Sequence, residues 1–176
     1  MKLKILILAA IAISCFGASI SAQAKKAPKF TSVYTNLKTN CKSFEGSDGS
    51  DGYSICRGPG GYQVRVYYSA ASTHFNAEHK GKDDNFPLAT TDIGFNWDKT
   101  KLEWRLANGK PFAVIIRIPK YADAAPGGYY GKVIGHELVV AGLLGFESLD
   151  TKIDAKTVGA NALAREAADS AYLSKN

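Results

Sequence analysis

The side chains able to do chemistry are few and scattered. The chain has three histidines, His74, His79 and His136. His74 and His79 stand five apart, and an odd separation on one strand puts them on opposite faces, so they cannot share a metal without a bend. Glu137 follows His136, but neighbours along a strand diverge, and a general-base pair is unsupported. A glycan hydrolase would have to draw two carboxylates from Glu78, Asp83, Asp84 and Glu137, converging across a cleft at about 5–10 Å. Asp48 and Asp51 lack the alternation of acids before a glycine that a calcium loop needs, and they read as a surface turn. There is no Gly-x-Ser-x-Gly elbow and no P-loop lysine. Gly58-Pro59-Gly60-Gly61-Tyr62-Gln63 is glycine-rich, yet Gln63 spoils the dinucleotide pattern and no helix follows, so it reads as a hairpin turn. On these grounds no catalytic residue, metal or cofactor is expected.

The N-terminus explains the cysteines. Lys2 and Lys4 precede an uncharged apolar run from Ile5 to Ile13, then small mixed residues, then Ala22-Gln23-Ala24. That order is a secretory signal spanning residues 1–24, too short for the roughly 20 apolar residues of a membrane span. Cys15 raises a lipoprotein alternative, but Ala12-Ile13-Ser14 lacks the leucine of a usual lipobox, and a soluble mature protein is favoured. Cys41 and Cys56 then remain, with one possible pairing in an oxidising compartment. Their bond would close a loop of about 15 residues, worth roughly 3 kcal/mol in the chain-entropy model. The expected location is periplasmic or secreted.

Loss of the signal leaves about 150 residues, enough for one domain that buries roughly 70% of its unfolded surface. The formal net charge of +6 loses two lysines with the signal, and Lys25, Lys26 and Lys29 sit on an expected disordered leader over 25–30. The globular body, 31–176, is therefore near neutral, and no nucleic-acid footprint is expected on it.

The elements that must position these residues follow from periodicity. Thr31 to Leu37, Tyr53 to Arg57, Gln63 to Ser69 and Thr73 to Glu78 read as strands, with Val64, Val66 and Tyr68 opposite Gln63, Arg65 and Tyr67. Leu102, Trp104 and Leu106 alternate with Glu103 and Arg105, Asn108-Gly109 turns the chain, and Phe112 to Ile118 returns. Lys132 to Val140 is a further strand. From about Thr157 to Leu173, alanines recur at helical steps, with Arg165, Glu166 and Asp169 directed elsewhere. The reading is an α+β domain: one antiparallel sheet of about seven strands with one C-terminal helix. Glu103 and Arg105 read as an exposed ionic patch with Arg117, of the kind worth about 0–1 kcal/mol. Tyr67 on its strand, with Tyr121, Tyr129 and Tyr130 in a glycine-flanked loop, forms the candidate binding surface, because tyrosine joins broad apolar area to a polar tip.

The set Tyr34-Thr35, Leu37, Cys41, Cys56, Gly58, Gly60-Gly61-Tyr62, Leu102-Glu103-Trp104-Arg105, Lys110-Pro111-Phe112-Ala113 and Asn161-Ala162-Leu163-Ala164-Arg165 with Ala168-Asp169 resembles a group of small, uncharacterised exported proteins of Gram-negative bacteria. The resemblance implies a periplasmic address and a compact domain, and carries no catalytic residue. Members often have a further cysteine before the final helix, whereas Phe146 to Ile153 has none. Two function classes remain. The favoured one is a non-catalytic binding or inhibitor-like module for an envelope protein or a glycan. The other is an envelope glycan hydrolase.

Overall fold

The computed structural model describes residues 26–46, 51–92, 95–128 and 131–175. Among these residues ten strands and one α-helix follow in order, with a short 3-10 turn (Trp97–Lys99) between the sixth and seventh strands: β1 (Phe30–Asn36), β2 (Cys41–Glu45), β3 (Gly52–Arg57), β4 (Tyr62–Tyr68), β5 (Ser72–His79), β6 (Asn85–Asp92), β7 (Lys101–Ala107), β8 (Lys110–Tyr121), β9 (Val133–Gly142), β10 (Asp150–Asp154) and α1 (Ala160–Lys175). They form two antiparallel five-stranded sheets. Sheet A runs β1-β7-β8-β9-β10, and sheet B is the meander β2-β3-β4-β5-β6. The chain starts in sheet A, leaves to build all of sheet B, and returns so that β7 closes on β1.

The fold is thus α+β as expected, but with ten strands in two sheets, not one sheet of about seven. Three strands that sequence periodicity missed, β2, β6 and β10, are sheet edges. An edge strand has one pairing neighbour and little apolar content, and charge or proline there guards against stray pairing. β10 reads Asp-Thr-Lys-Ile-Asp, and β6 carries Pro87. Strand formation also reaches one residue into the stretch expected as a leader. Phe30 is ordered because it packs on Phe112 and Tyr172, at 5.9 and 5.6 Å between ring centroids.

Three layers result. Between the sheets, Val64, Val66, Phe75, Ala77 and Phe86 meet Leu102, Trp104, Val114, Ile116 and Val139 in one core. On its other face, sheet A packs Phe112, Ala113, Ile115, Leu138 and Val140 against Ala160, Ala164 and Ala168 of α1. Sheet A is therefore the middle layer, which explains why β8 reads as a continuous apolar run while β4 alternates. The β7–β8 turn places Asn108 at φ 51° and Gly109 at φ 81°, the left-handed pair that a tight hairpin needs.

Trp104 is wholly buried and joins the two sheets. Its Nε1–H donates to Thr35 Oγ1 at 2.9 Å, and that hydroxyl donates to the Arg57 carbonyl at 2.9 Å. Gly58 lies flat on the indole: a Cβ there would stand 2.5 Å from the ring. Hence the glycine-rich turn, which is indeed a hairpin, also serves as the seat for Trp104. Trp104→Ala should lower unfolding free energy by about 3–5 kcal/mol, and Gly58→Ala by roughly 1–3 kcal/mol through overpacking. Urea unfolding reads both, and a loss below about 1 kcal/mol for Trp104→Ala would contradict this seating.

Candidate functional site

The two outer faces of the sandwich differ. Sheet A's is closed by α1, through an apolar contact and two ion pairs. Glu103 and Arg105, expected on an exposed patch with Arg117, are only 8% and 6% exposed. Arg165 of α1 grips Glu103 through two bonds, of 2.6 and 3.1 Å. Arg105 grips Asp169 likewise, at 3.1 and 2.5 Å. Ser32 of β1 ties the pairs together, donating to Glu103 at 2.5 Å and accepting from Arg105 at 2.7 Å. Arg165 and Asp169 thus face the sheet instead of pointing away from it. Burial alone would raise the Glu103 carboxyl above its ordinary value, but Arg165, Ser32 and Tyr34 together hold it below. A depressed folded value means that this carboxylate's contribution is complete above the ordinary value of 4.5 and is lost as pH falls through the folded one.

Sheet B's outer face carries no covering element among the described residues. Its registers align Phe44, Tyr53, Tyr67, His74 and Thr90 in one row directly across all five strands. Side chains alternate along each strand, so this row lies opposite the core residues Val66 and Phe75. Phe44 and Tyr53 stack at 4.9 Å and 19°, and Tyr53 and Tyr67 follow at 6.0 Å and 47°. The next row brings Arg65, whose guanidinium lies 4.9 Å from the Tyr53 ring centroid and 5.6 Å from that of Tyr67. Arg65 is held in place by a two-bond pair with Glu78, at 2.6 and 3.0 Å, and Gln63 donates to the same carboxylate at 3.0 Å. His74 bridges Ser72 and Thr90 at 2.7 and 3.1 Å. A concavity of about 350 Å³ opens beside Tyr53, Tyr67 and His74.

The structure redistributes the candidate residues. Tyr67 stands in the row, 41% exposed. Tyr121 does not: it ends β8 on sheet A, where its hydroxyl accepts the Asp92 N–H at 3.2 Å and ties β6 to the opposite sheet. Tyr129 and Tyr130 lie outside the described residues. Phe44, Tyr53, Arg65 and His74 were missed, and their signal was the register rather than any local motif. The cysteines pair as read: Cys41 and Cys56 are directly opposite on β2 and β3 and form a disulfide. Among the described residues, no group of three or more His, Cys, Asp or Glu side chains could hold a metal ion.

Of the carboxylates considered for hydrolysis, Glu78 and Glu137 do not converge. Glu78 lies on the open face of sheet B, while Glu137 is on β9 of sheet A, 3.4 Å from Lys152. Burial pushes the Glu78 carboxyl up, but Arg65 and Gln63 outweigh it and hold it below its ordinary value. A general acid needs the opposite shift. Comparison with known proteins finds no matching family model, no matching curated protein and no matching solved structure.

Breaking one partner of a buried pair strands the other charge, whereas removing both is nearly neutral. Asp169→Ala should therefore cost about 2–4 kcal/mol, and Arg105→Met combined with Asp169→Leu should recover most of it. Urea unfolding of the single and double variants decides this. A single variant as stable as the parent would show that the pair does not hold the helix.

Proposed function

We propose that this chain is an exported, non-catalytic binding module that engages a protein of the cell envelope through the open face of sheet B. The observation that carries the reading is the Phe44–Tyr53–Tyr67 row with Arg65 locked across it. Tyrosine and arginine dominate the energetic centres of protein interfaces, because each joins large contact area to directional hydrogen bonding. Here their ordering cost is already met within the fold, since the rings pack on one another and Glu78 fixes the guanidinium. Preorganisation of this kind strengthens binding without adding contacts.

The ring geometry favours a protein over a glycan. Phe44 and Tyr53 stand face to face at the spacing of adjacent strands, and Arg65 lies over Tyr53 and Tyr67. Sugar stacking needs free ring faces, and those of Phe44 and Tyr53 are taken up by each other, by Lys42 and by Arg65. Export rests on the N-terminal signal pattern. A disulfide between β2 and β3 suits an oxidising compartment. No helix among the described residues is long and apolar enough to cross a membrane.

Affinity capture from a periplasmic extract, followed by titration of the captured partner, tests the proposal. Tyr53→Ala with Tyr67→Ala should weaken that complex by roughly 2–4 kcal/mol, with the thermal midpoint nearly unchanged. Undiminished binding would refute the assignment of this face. So would cell-wall hydrolysis by the pure protein that one Glu or Asp substitution abolishes.

A further inference from the structure

A second feature of sheet B lies beside the ring row and is different in chemistry. At Phe44 the face dips into a cleft of about 660 Å³, whose lining among the described residues includes Phe44, Asn40, Lys42, Arg57, Gln63 and Lys80, and no acid. A volume of this size suits a small molecule. Three cations reach the cleft from three places: Lys42 from β2, Arg57 from β3, and Lys80 from just past the end of β5. Among the described residues none of the three has a carboxylate at ion-pair distance, whereas Arg65, Arg105, Lys120, Lys152 and Arg165 each do. Glu78 is the nearest acid by register, two strands from Arg57, and Arg65 and Gln63 already occupy it. Asp83 and Asp84 follow on the β5–β6 connection but do not line the cleft.

The cations are set on a fixed frame. Lys42 and Arg57 directly follow Cys41 and Cys56, which are bonded to each other across the strand pair. Lys42 faces Ile55, so Arg57 is its diagonal neighbour, at about 7–8 Å between backbones. Lys80 is fixed by its own N–H, which donates to the Gly61 carbonyl at 2.9 Å. That carbonyl belongs to a turn in which Gly60 and Gly61 adopt φ of 62° and 84°. Lys42, Arg57 and Lys80 are exposed, so water screens their mutual repulsion, and Lys42 Nζ also lies 5.2 Å from the Phe44 ring centroid, but an anion entering the cleft meets all three charges at once. A single carboxylate answers one of the three. Phosphate concentrates more charge in one group and offers oxygens to the guanidinium fork of Arg57 and to the lysine ammonium groups.

We propose that this cleft binds a compact phosphate-bearing anion, of the chemistry shared by phosphorylated sugars and lipid phosphate headgroups. The cleft borders the ring row and shares Phe44 with it, but Tyr53 and Tyr67 do not line it, so the Tyr53 and Tyr67 variants test the row while the cation variants test the cleft. Isothermal titration of the disulfide-bonded chain with inorganic pyrophosphate at about 20 mM salt should show saturable binding, weakened roughly tenfold or more at about 200 mM salt. Lys42→Gln, Arg57→Gln and Lys80→Gln together should weaken it at least as much while the thermal midpoint holds. If that triple variant unfolds, Arg57→Gln alone is read in the same way. Sedimentation with phosphatidylcholine vesicles, with and without phosphatidic acid, separates the sources. Pyrophosphate-sensitive binding to the acidic vesicles assigns a headgroup, and pyrophosphate binding without vesicle binding assigns a soluble phosphate. The proposal is overturned if neither probe binds, if the substituted chain binds as well as the parent, or if a glutamate decapeptide binds where pyrophosphate does not.

Discussion

Glu103 and Arg105 leave β7 on the side away from the sandwich core, and there they meet Arg165 and Asp169 of the helix. The rest of the architecture depends on this meeting. The helix face towards the sheet is alanine, and three buried methyl groups contribute only about 2 kcal/mol. Tyr172 adds a second anchor near the C-terminal end, packing on Phe30, Phe112 and Phe146. Small side chains let the helix approach closely, and close approach takes Glu103 and Arg105 out of water while the Arg165 side chain stays 41% exposed. Glu103 or Arg105 alone would be a costly buried charge. Together with Ser32 the two pairs form a connected lattice in which every charge has a partner.

Closing one side in this way defines the other. Sheet A becomes a middle layer with both faces buried, and sheet B is left with a core face and an exposed one. The same device, an arginine held by a glutamate through two bonds, appears on both outer faces with opposite consequences. On sheet A the pair Glu103–Arg165 lies beneath a helix and serves attachment. On sheet B the pair Arg65–Glu78 has no element over it among the described residues, and it aligns a guanidinium across two tyrosine rings. Trp104 links the two halves, since its indole, the Thr35 hydroxyl and the Arg57 carbonyl form one chain from sheet A to sheet B.

What could be read from the sequence follows the same physics. The β7–β8 hairpin was legible because Asn108-Gly109 is local turn chemistry between two apolar runs. Burial of Leu102, Trp104, Val64 and Val66 was legible because alternation assigns faces without knowledge of partners. The edge strands β2, β6 and β10 were not, since an edge needs few apolar residues. Glu103 and Arg105 were misassigned to solvent because their partners lie 62 and 64 residues away. Alternation identifies a second face but not what covers it. In the same way Tyr67 could be placed on an outer face, while the row it belongs to emerges only when five strands are set in register. Tyr121 looked like a recognition residue beside glycines and instead braces Asp92.

The helix-covered side serves structure, and the proposed partner meets the ring-bearing side of sheet B. The most direct measurement is site-specific photocrosslinking in intact cells, with a benzophenone amino acid replacing Tyr67 in one strain and Leu163, on the outward side of the helix, in another. A discrete protein adduct from position 67 and none from position 163 is the predicted result. An adduct from position 163 with none from position 67 would contradict the account.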